Sequence, residues 1–181
     1  MLPASTPWRE VDQRIAFVAT GTLNLWHQYC RQYFLSCALG TTDRFGAPVA
    51  NAVGTFVSEG AALAWARNEV ADGEQYMGEP RWRDPAVWFK VMNALRTTAM
   101  PGVVLVSGLQ TDAFASLPAF RNFYAHRCKK TALRTHDFKS RHLVKSGPHP
   151  TDILRGARST TTYSVIEDWL DEIYAAIDLT A

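Results

Sequence analysis

No proline interrupts the chain between Pro7 and Pro48, and across residues 8–39 the apolar side chains recur at helical spacing. Ile15, Val18, Leu25, Tyr29 and Tyr33 fall on one stripe, with Trp26, Cys30 and Phe34 beside it. Steps of three, four and seven suit a helical face that is buried. So long an amphipathic helix must lay its apolar stripe against other elements.

The rest of the chain extends the helical reading. Residues 40–46, with Gly40 and Gly46 around Thr-Thr-Asp-Arg-Phe, read as a turn. A second helical region is expected over about 48–70, weakened and open to splitting at Gly54 and Gly60. Gly73, Gly78 and Pro80 mark residues 72–85 as a loop. Asp84 and Pro85 then supply a cap and a first-turn proline for a helix carrying Val87, Val91 and Leu95 on one face. The run Val103-Val104-Leu105-Val106 is too short for periodicity to decide between strand and helix. Ser116-Leu117-Pro118 reads as the start of a helix expected to continue to about Leu133. Residues 136–158 read as a long basic loop. Ser159, Thr160, Thr161 and Thr162 offer N-caps for a last helix with Ile166, Trp169, Leu170, Ile173 and Ile177 on its apolar face. With 181 residues and no internal repeat, the expectation is a single all-α domain over 1–181.

Charge is unevenly spread. Residues 121–158 carry ten Lys/Arg against only Asp137 and Asp152, whereas residues 159–181 carry five acids and no base. A block this basic has the footprint of a polyanion binder. The plainer reading is a solvated loop that balances the acidic final helix. Cys30, Cys37 and Cys128 are odd in number and form no CxxC pair, so neither a disulfide framework nor a zinc ribbon is expected. Residues 1–7 lack the basic start and following apolar stretch of a signal peptide. No apolar run reaches the roughly 20 residues of a membrane span. These features lead to the expectation of a reducing, cytoplasmic setting.

The basic block opens with Phe120-Arg121-Asn122-Phe123-Tyr124-Ala125-His126-Arg127. On an ideal helix Asn122 and His126 share a face, offset by ~40°, whereas Arg121 and His126 are offset by ~140°. A long arginine stem closes part of that gap, and a second, antiparallel copy of the helix would close it better. The residue types suit RNA cleavage. An imidazole can accept the proton of a ribose 2′-OH. A guanidinium stays charged and donates a planar fork to phosphate oxygens. The asparagine can orient the histidine or hold the phosphate. With the 2′-OH as nucleophile, no metal or other cofactor is called for.

This string resembles the HEPN superfamily motif: an arginine, a polar residue, and a histidine a few positions later. Its context, from Ser116 to Ala132, is similar to the RiboL-PSP-HEPN group. Trp26-His27, Glu79-Pro80-Arg81-Trp82 and Trp169 add to the likeness. The resemblance implies a HEPN-like helical bundle, a homodimer with the motif in a shared cleft, and metal-independent endoribonuclease activity. Relatives serve in toxin–antitoxin and other defence systems, so an antitoxin protein is an implied partner. Arg121 would stabilise the phosphate, Asn122 would be its polar partner and His126 the base. Arg127, Lys129, Lys130 and Arg134 would guide the RNA backbone by charge. Cys128 stands where some HEPN toxins carry a tyrosine that a partner nucleotidyltransferase modifies. The alternative is a HEPN module that binds RNA, a nucleotide or a protein without cutting.

Other chemistry-bearing residues read as structural. His27 sits on a strongly apolar helix and is expected to be half-buried. His136, His142 and His149 are spaced too widely for a metal site and read as basic surface. Trp88 and Trp169 fall on core faces, and Trp82 is expected to be structural although it is the best candidate to stack on a base. No phosphate-binding glycine loop, HExxH or G-x-S-x-G is present.

Overall fold

The computed structural model describes residues 8–109, 111–159 and 161–180. Among them eight α-helices dominate, and the strands are two hairpins with two residues per strand, so the fold is all-α as expected. In chain order the helices are α1 (Trp8–Leu39), α2 (Glu59–Asn68), α3 (Pro85–Leu95), α4 (Met100–Gly108), α5 (Asp112–His126), α6 (Lys129–Arg141), α7 (Pro150–Arg155) and α8 (Val165–Asp178). No single helix among the described residues is long and apolar enough to cross a membrane. The chain groups into two compact units. One takes residues up to Asn24 with Thr111–Ile173, and the other takes Leu25–Gln110 and the chain from Tyr174 on.

In the unit built from Leu25–Gln110, aromatic packing holds α1 to the following elements. The Trp26 ring meets Trp88 edge-on at 5.7 Å, and Phe34 stacks on Trp82 at 5.0 Å. Trp82 is fully buried and its indole N–H donates to Glu79 at 2.9 Å. The same carboxylate takes Arg31 at 2.9 Å, so this tryptophan is structural. His27 is half-buried, and burial is the main cause holding its pKa below the usual histidine value, with Glu79 opposing it. Asp84 caps α3 as expected, by accepting from the Ala86 N–H at 3.1 Å. Val87, Trp88, Val91, Met92 and Leu95 are all buried.

Two expectations in this unit are revised, and one that the sequence left open is decided. Residues 48–70 do not form one helix: Pro48–Val49 pairs with Thr41–Thr42 as a small hairpin, and α2 starts only at Glu59. Gly54 adopts φ +89°, the left-handed region, which a helix does not use. The 72–85 loop contains a short 3₁₀ turn (Asp72–Glu74) and a second hairpin pairing Gln75–Tyr76 with Glu79–Pro80. The run 103–106 belongs to helix α4.

In the other unit α5 and α6 form a helical hairpin around a triad of rings. Phe120, Phe138 and Trp169 meet edge to face at 5.8, 5.4 and 5.1 Å, and all three are buried. Helix α5 begins at Asp112 rather than near Ser116, because the Glu172 carboxylate accepts the Ala113 N–H at 3.0 Å and satisfies a first-turn donor. Pro118 is therefore inside the helix, where it gives up one backbone hydrogen bond. The helix also ends earlier than expected, at His126, and a new one starts at Lys129. The expected loop over 136–158 is correspondingly shorter. Helix α6 reaches Arg141, α7 occupies Pro150–Arg155, and Lys145, Ala157 and Ser164 are joined by isolated bridges. Of the four N-cap candidates, Thr160 lies outside the described residues. The capping is done by Ser164, whose N–H and hydroxyl both bond Glu167, at 2.9 and 2.7 Å.

Candidate active site

The motif occupies the last two turns of α5. Phe120 and Phe123 are buried and anchor this stretch, which leaves Arg121 and Asn122 half-buried and His126 exposed. The Arg121 guanidinium donates to Asn122 Oδ1 at 3.4 Å, a long contact that aligns two of the three motif side chains. His126 stands one turn beyond Asn122 with its ring open to solvent. Arg121 and His126 make no hydrogen bond to each other in the single chain.

Immediately after His126 the backbone reverses. Arg127 takes the left-handed conformation, φ 42° and ψ 45°, and Cys128 is extended as the N-cap of α6. No glycine or proline marks this break. Side chains hold it instead. The Arg127 guanidinium meets the Asp12 carboxylate at 2.6 Å, and the Thr131 hydroxyl accepts the Cys128 N–H at 3.3 Å and donates to the Cys128 carbonyl at 2.9 Å. Asp12 also accepts the Thr151 hydroxyl. That hydroxyl has then given its one proton away, so it receives the Tyr124 O–H, at 3.0 Å. Burial pushes the Asp12 pKa up, but the hydrogen bonds from Thr151 and Arg127 and the nearby positive charges outweigh it, and the net shift is downward. Burial pushes the Tyr124 phenol well above its ordinary value.

The basic block divides into two kinds of charge. Arg158 reaches Asp112 at 3.0 Å and lies near Asp168 and Glu172, which is the balance with the acidic final helix that charge alone suggests. Burial there raises the Glu172 pKa, against a bond from the Ala113 N–H and the Arg158 charge. The Lys139 ammonium donates to the carbonyls of Ser146 and Gly147 at 2.8 and 3.0 Å. Arg127 is held by Asp12, although about half its side chain remains exposed (47%). Lys129, Lys130 and Arg134 are exposed on the first turns of α6.

Beside the motif lies a groove that the sequence does not reveal. It has a volume of about 470 Å³ and is lined by Phe123 on α5 and Arg127 just after it, His136 on α6, Pro148 and His149 ahead of α7, and Pro150 at its start. His149 is half-buried rather than free on the surface. Its ring meets Trp8 and Phe123 edge-on at 5.4 and 5.5 Å, and its Nδ1 accepts the Thr151 N–H at 3.2 Å as the cap of α7. His142 likewise stacks on Phe138 at 4.4 Å. The expectation of solvated basic surface is revised for these two histidines: both are half-buried, drawn in by aromatic packing, and His142 also lies 3.3 Å from the Asp112 carboxylate. The only hint in the sequence is their position in a stretch that also holds Pro148 and Pro150.

Among the described residues no three His, Cys, Asp or Glu side chains group as metal ligands. Cys128 is exposed, and its pKa is lowered, first by the Thr131 hydroxyl, whereas burial raises Cys30 and takes Cys37 to about 11. Comparison of the chain with family models, with curated proteins and with solved structures gives no match.

Proposed function

We propose that the protein is a HEPN-like endoribonuclease that cleaves RNA without a metal, using Arg121, Asn122 and His126. The observation that carries this reading is the exposed His126 one turn from an Arg121–Asn122 pair, followed by the exposed cations Lys129, Lys130 and Arg134. In the reaction His126 takes the proton of a ribose 2′-OH, whose oxygen attacks the adjacent phosphorus. The P–O5′ bond breaks, and the 5′ oxygen leaves with a proton from water. The products are a 2′,3′-cyclic phosphate and a 5′-OH end. Arg121, oriented by Asn122, stabilises the charge on the phosphoryl oxygens. The ~140° between Arg121 and His126 around the helix favours a site completed by a second copy of the chain, each copy supplying one side. A homodimer is accordingly part of the proposal, as are a role in toxin–antitoxin or other defence, an antitoxin partner and a cytoplasmic setting.

The test is cleavage of a generic RNA in EDTA by the wild type, His126→Ala and Arg121→Lys, with the product ends identified. Cleavage by the wild type alone, leaving cyclic phosphate, supports the reading. Arg121→Lys is expected to lose at least a hundredfold in rate, because lysine lacks the fork. Full activity of His126→Ala would remove the proposed base. Salt-dependent binding with no cleavage by any form would favour a module that holds RNA without cutting it.

A further inference from the structure

We infer that the groove beside the motif receives one unpaired nucleobase of the RNA, next to the phosphate held by Arg121, Asn122 and His126. This inference rests on the proposed handling of RNA by those residues and specifies which form of RNA the site accepts. The volume, about 470 Å³, falls within the roughly 300–1,000 Å³ of small-molecule sites. Its lining combines ring surfaces with a few polar groups, which is the composition that takes a planar, polar heterocycle. Pro148 is exposed and His136 is half-buried, and both line the groove. Phe123 and His149, also in the lining, meet edge to face at 5.5 Å.

The polar groups of the groove are fixed before any ligand arrives. His149 uses Nδ1 as an acceptor, so its neutral form carries the proton on Nε2 and offers a donor. Asp12 holds one side of the Arg127 guanidinium, and the exposed remainder keeps N–H groups for a base edge or a ribose. A groove with this preorganisation loses little entropy on binding.

Charge and position argue for a base attached to a polynucleotide. On α5, Phe123 is the chain neighbour of Asn122, about 100° from it around the helix, and Arg127 is the chain neighbour of His126, so the groove opens on the flank of the proposed phosphate site, one nucleotide's reach from it. On α6, Lys129, Ala132 and His136 recur at spacings of three and four and therefore share one side of the helix. Ala132 and His136 line the groove, and the exposed Lys129 stands on the same side to meet the backbone phosphate of the inserted nucleotide. A base paired in a duplex cannot enter, so the groove selects single strands and loops.

The test is binding of a short single-stranded 2′-O-methyl oligonucleotide, whose blocked 2′ oxygen cannot attack even in an active ribonuclease. Each position is made abasic in turn, and dissociation constants are compared for the wild type, His136→Ala and Pro148→Ala. At one position the abasic change is expected to weaken wild-type binding about tenfold. In either variant the same change should cost less than twofold. A fully paired duplex of the same sequence should bind at least tenfold more weakly than the single strand. Equal binding of intact and abasic strands by the wild type would overturn the inference, as would equal binding of duplex and single strand. So would a base dependence that survives in both variants. Cleavage of RNA with base-independent binding would sink the groove and leave the ribonuclease standing. Base-dependent binding without cleavage would do the reverse.

Discussion

Arg127 and Asp12, 115 positions apart, form the ion pair that sits at the turn directly after His126. The turn asks a non-glycine residue to adopt the left-handed conformation, which costs roughly 1–2 kcal/mol. The contact between guanidinium and carboxylate offsets that cost. It also ties the C-terminal end of α5 to the first turns of α1 and, through Thr151, to α7. The open edge on which the motif stands is thus a product of contacts distant in sequence.

The Asp12 carboxylate should leave its mark on acid stability. Its folded pKa is lowered from 3.8, so the stability it contributes is fully present above that value and is lost as pH falls through the lower folded one. Asp12→Asn is expected to cost about 1–2 kcal/mol at neutral pH, discounted because Arg127 is half exposed. The difference between wild type and variant should shrink steadily below pH 4. Urea melts at pH 7 and at several points below pH 4 would read it. A gap that stays constant with pH would mean that the carboxylate charge is not what Arg127 needs.

Conformation and charge at residue 127 can be separated. Arg127→Ala loses the ion pair and keeps the strain, whereas Arg127→Gly loses the ion pair and the strain together. Glycine should be more stable than alanine here by about 1 kcal/mol, the opposite of their order inside a helix. Thermal melts of the two variants give the comparison directly. If alanine proves the more stable, the left-handed turn is not maintained without the ion pair to Asp12.

The three cysteines should differ sharply toward a thiol reagent. Cys30 and Cys37 are buried with raised pKa values, and Cys128 is exposed with a lowered one. One thiol per chain is expected to react fast in the native protein, since the thiolate is the nucleophile. Thr131→Val removes the hydroxyl that stabilises it and should slow the reaction about threefold at pH 8. The pH dependence of the rate, followed by absorbance, would show the variant midpoint moved up. Two or three fast thiols would contradict the burial of Cys30 or Cys37.

What the sequence discloses, and what it hides, follows from the range of the interactions involved. Helices α3 and α8 are legible because each carries its own periodic apolar face, as Val87, Val91 and Leu95 do on α3, whereas α1 is legible as a helix but not in its facing: Leu25 of the expected stripe is exposed, and the neighbouring Trp26, Cys30 and Phe34 are the buried side chains. The identity of α4 is not legible, because the run from Val103 to Val106 has no polar side to set a period. The motif residues Arg121, Asn122 and His126 are readable since they are neighbours on one helix. The break after His126 is invisible in sequence, for no glycine or proline signals it and its supports come from Asp12 and Thr131. The groove is hidden for the same reason. Phe123, His136 and His149 come together only when α5, α6 and the segment before α7 are assembled.

That assembly depends on the close approach of strand-like segments around Gly156. Its backbone is ordinary, φ −73° and ψ 149°, so glycine is not required there for conformational freedom. Space is the requirement. A Cβ at this position would lie 2.7 Å from Ser146 Cβ, 2.8 Å from Val144 Cγ1 and 2.9 Å from the Lys145 carbonyl oxygen. Two of those neighbours are fixed by the bridge between Lys145 and Ala157, so they cannot simply rotate away. Gly156→Ala is therefore expected to destabilise the protein by about 1–3 kcal/mol, the usual cost of overpacking. The segment ahead of α7 that carries Pro148 and His149 should loosen with it. Amide exchange measured on both forms would show faster exchange over residues 144–157 in the variant and little change in α3. If protection there is unchanged and the melting temperature is retained, the segment yields without cost and the groove is softer than its contacts imply.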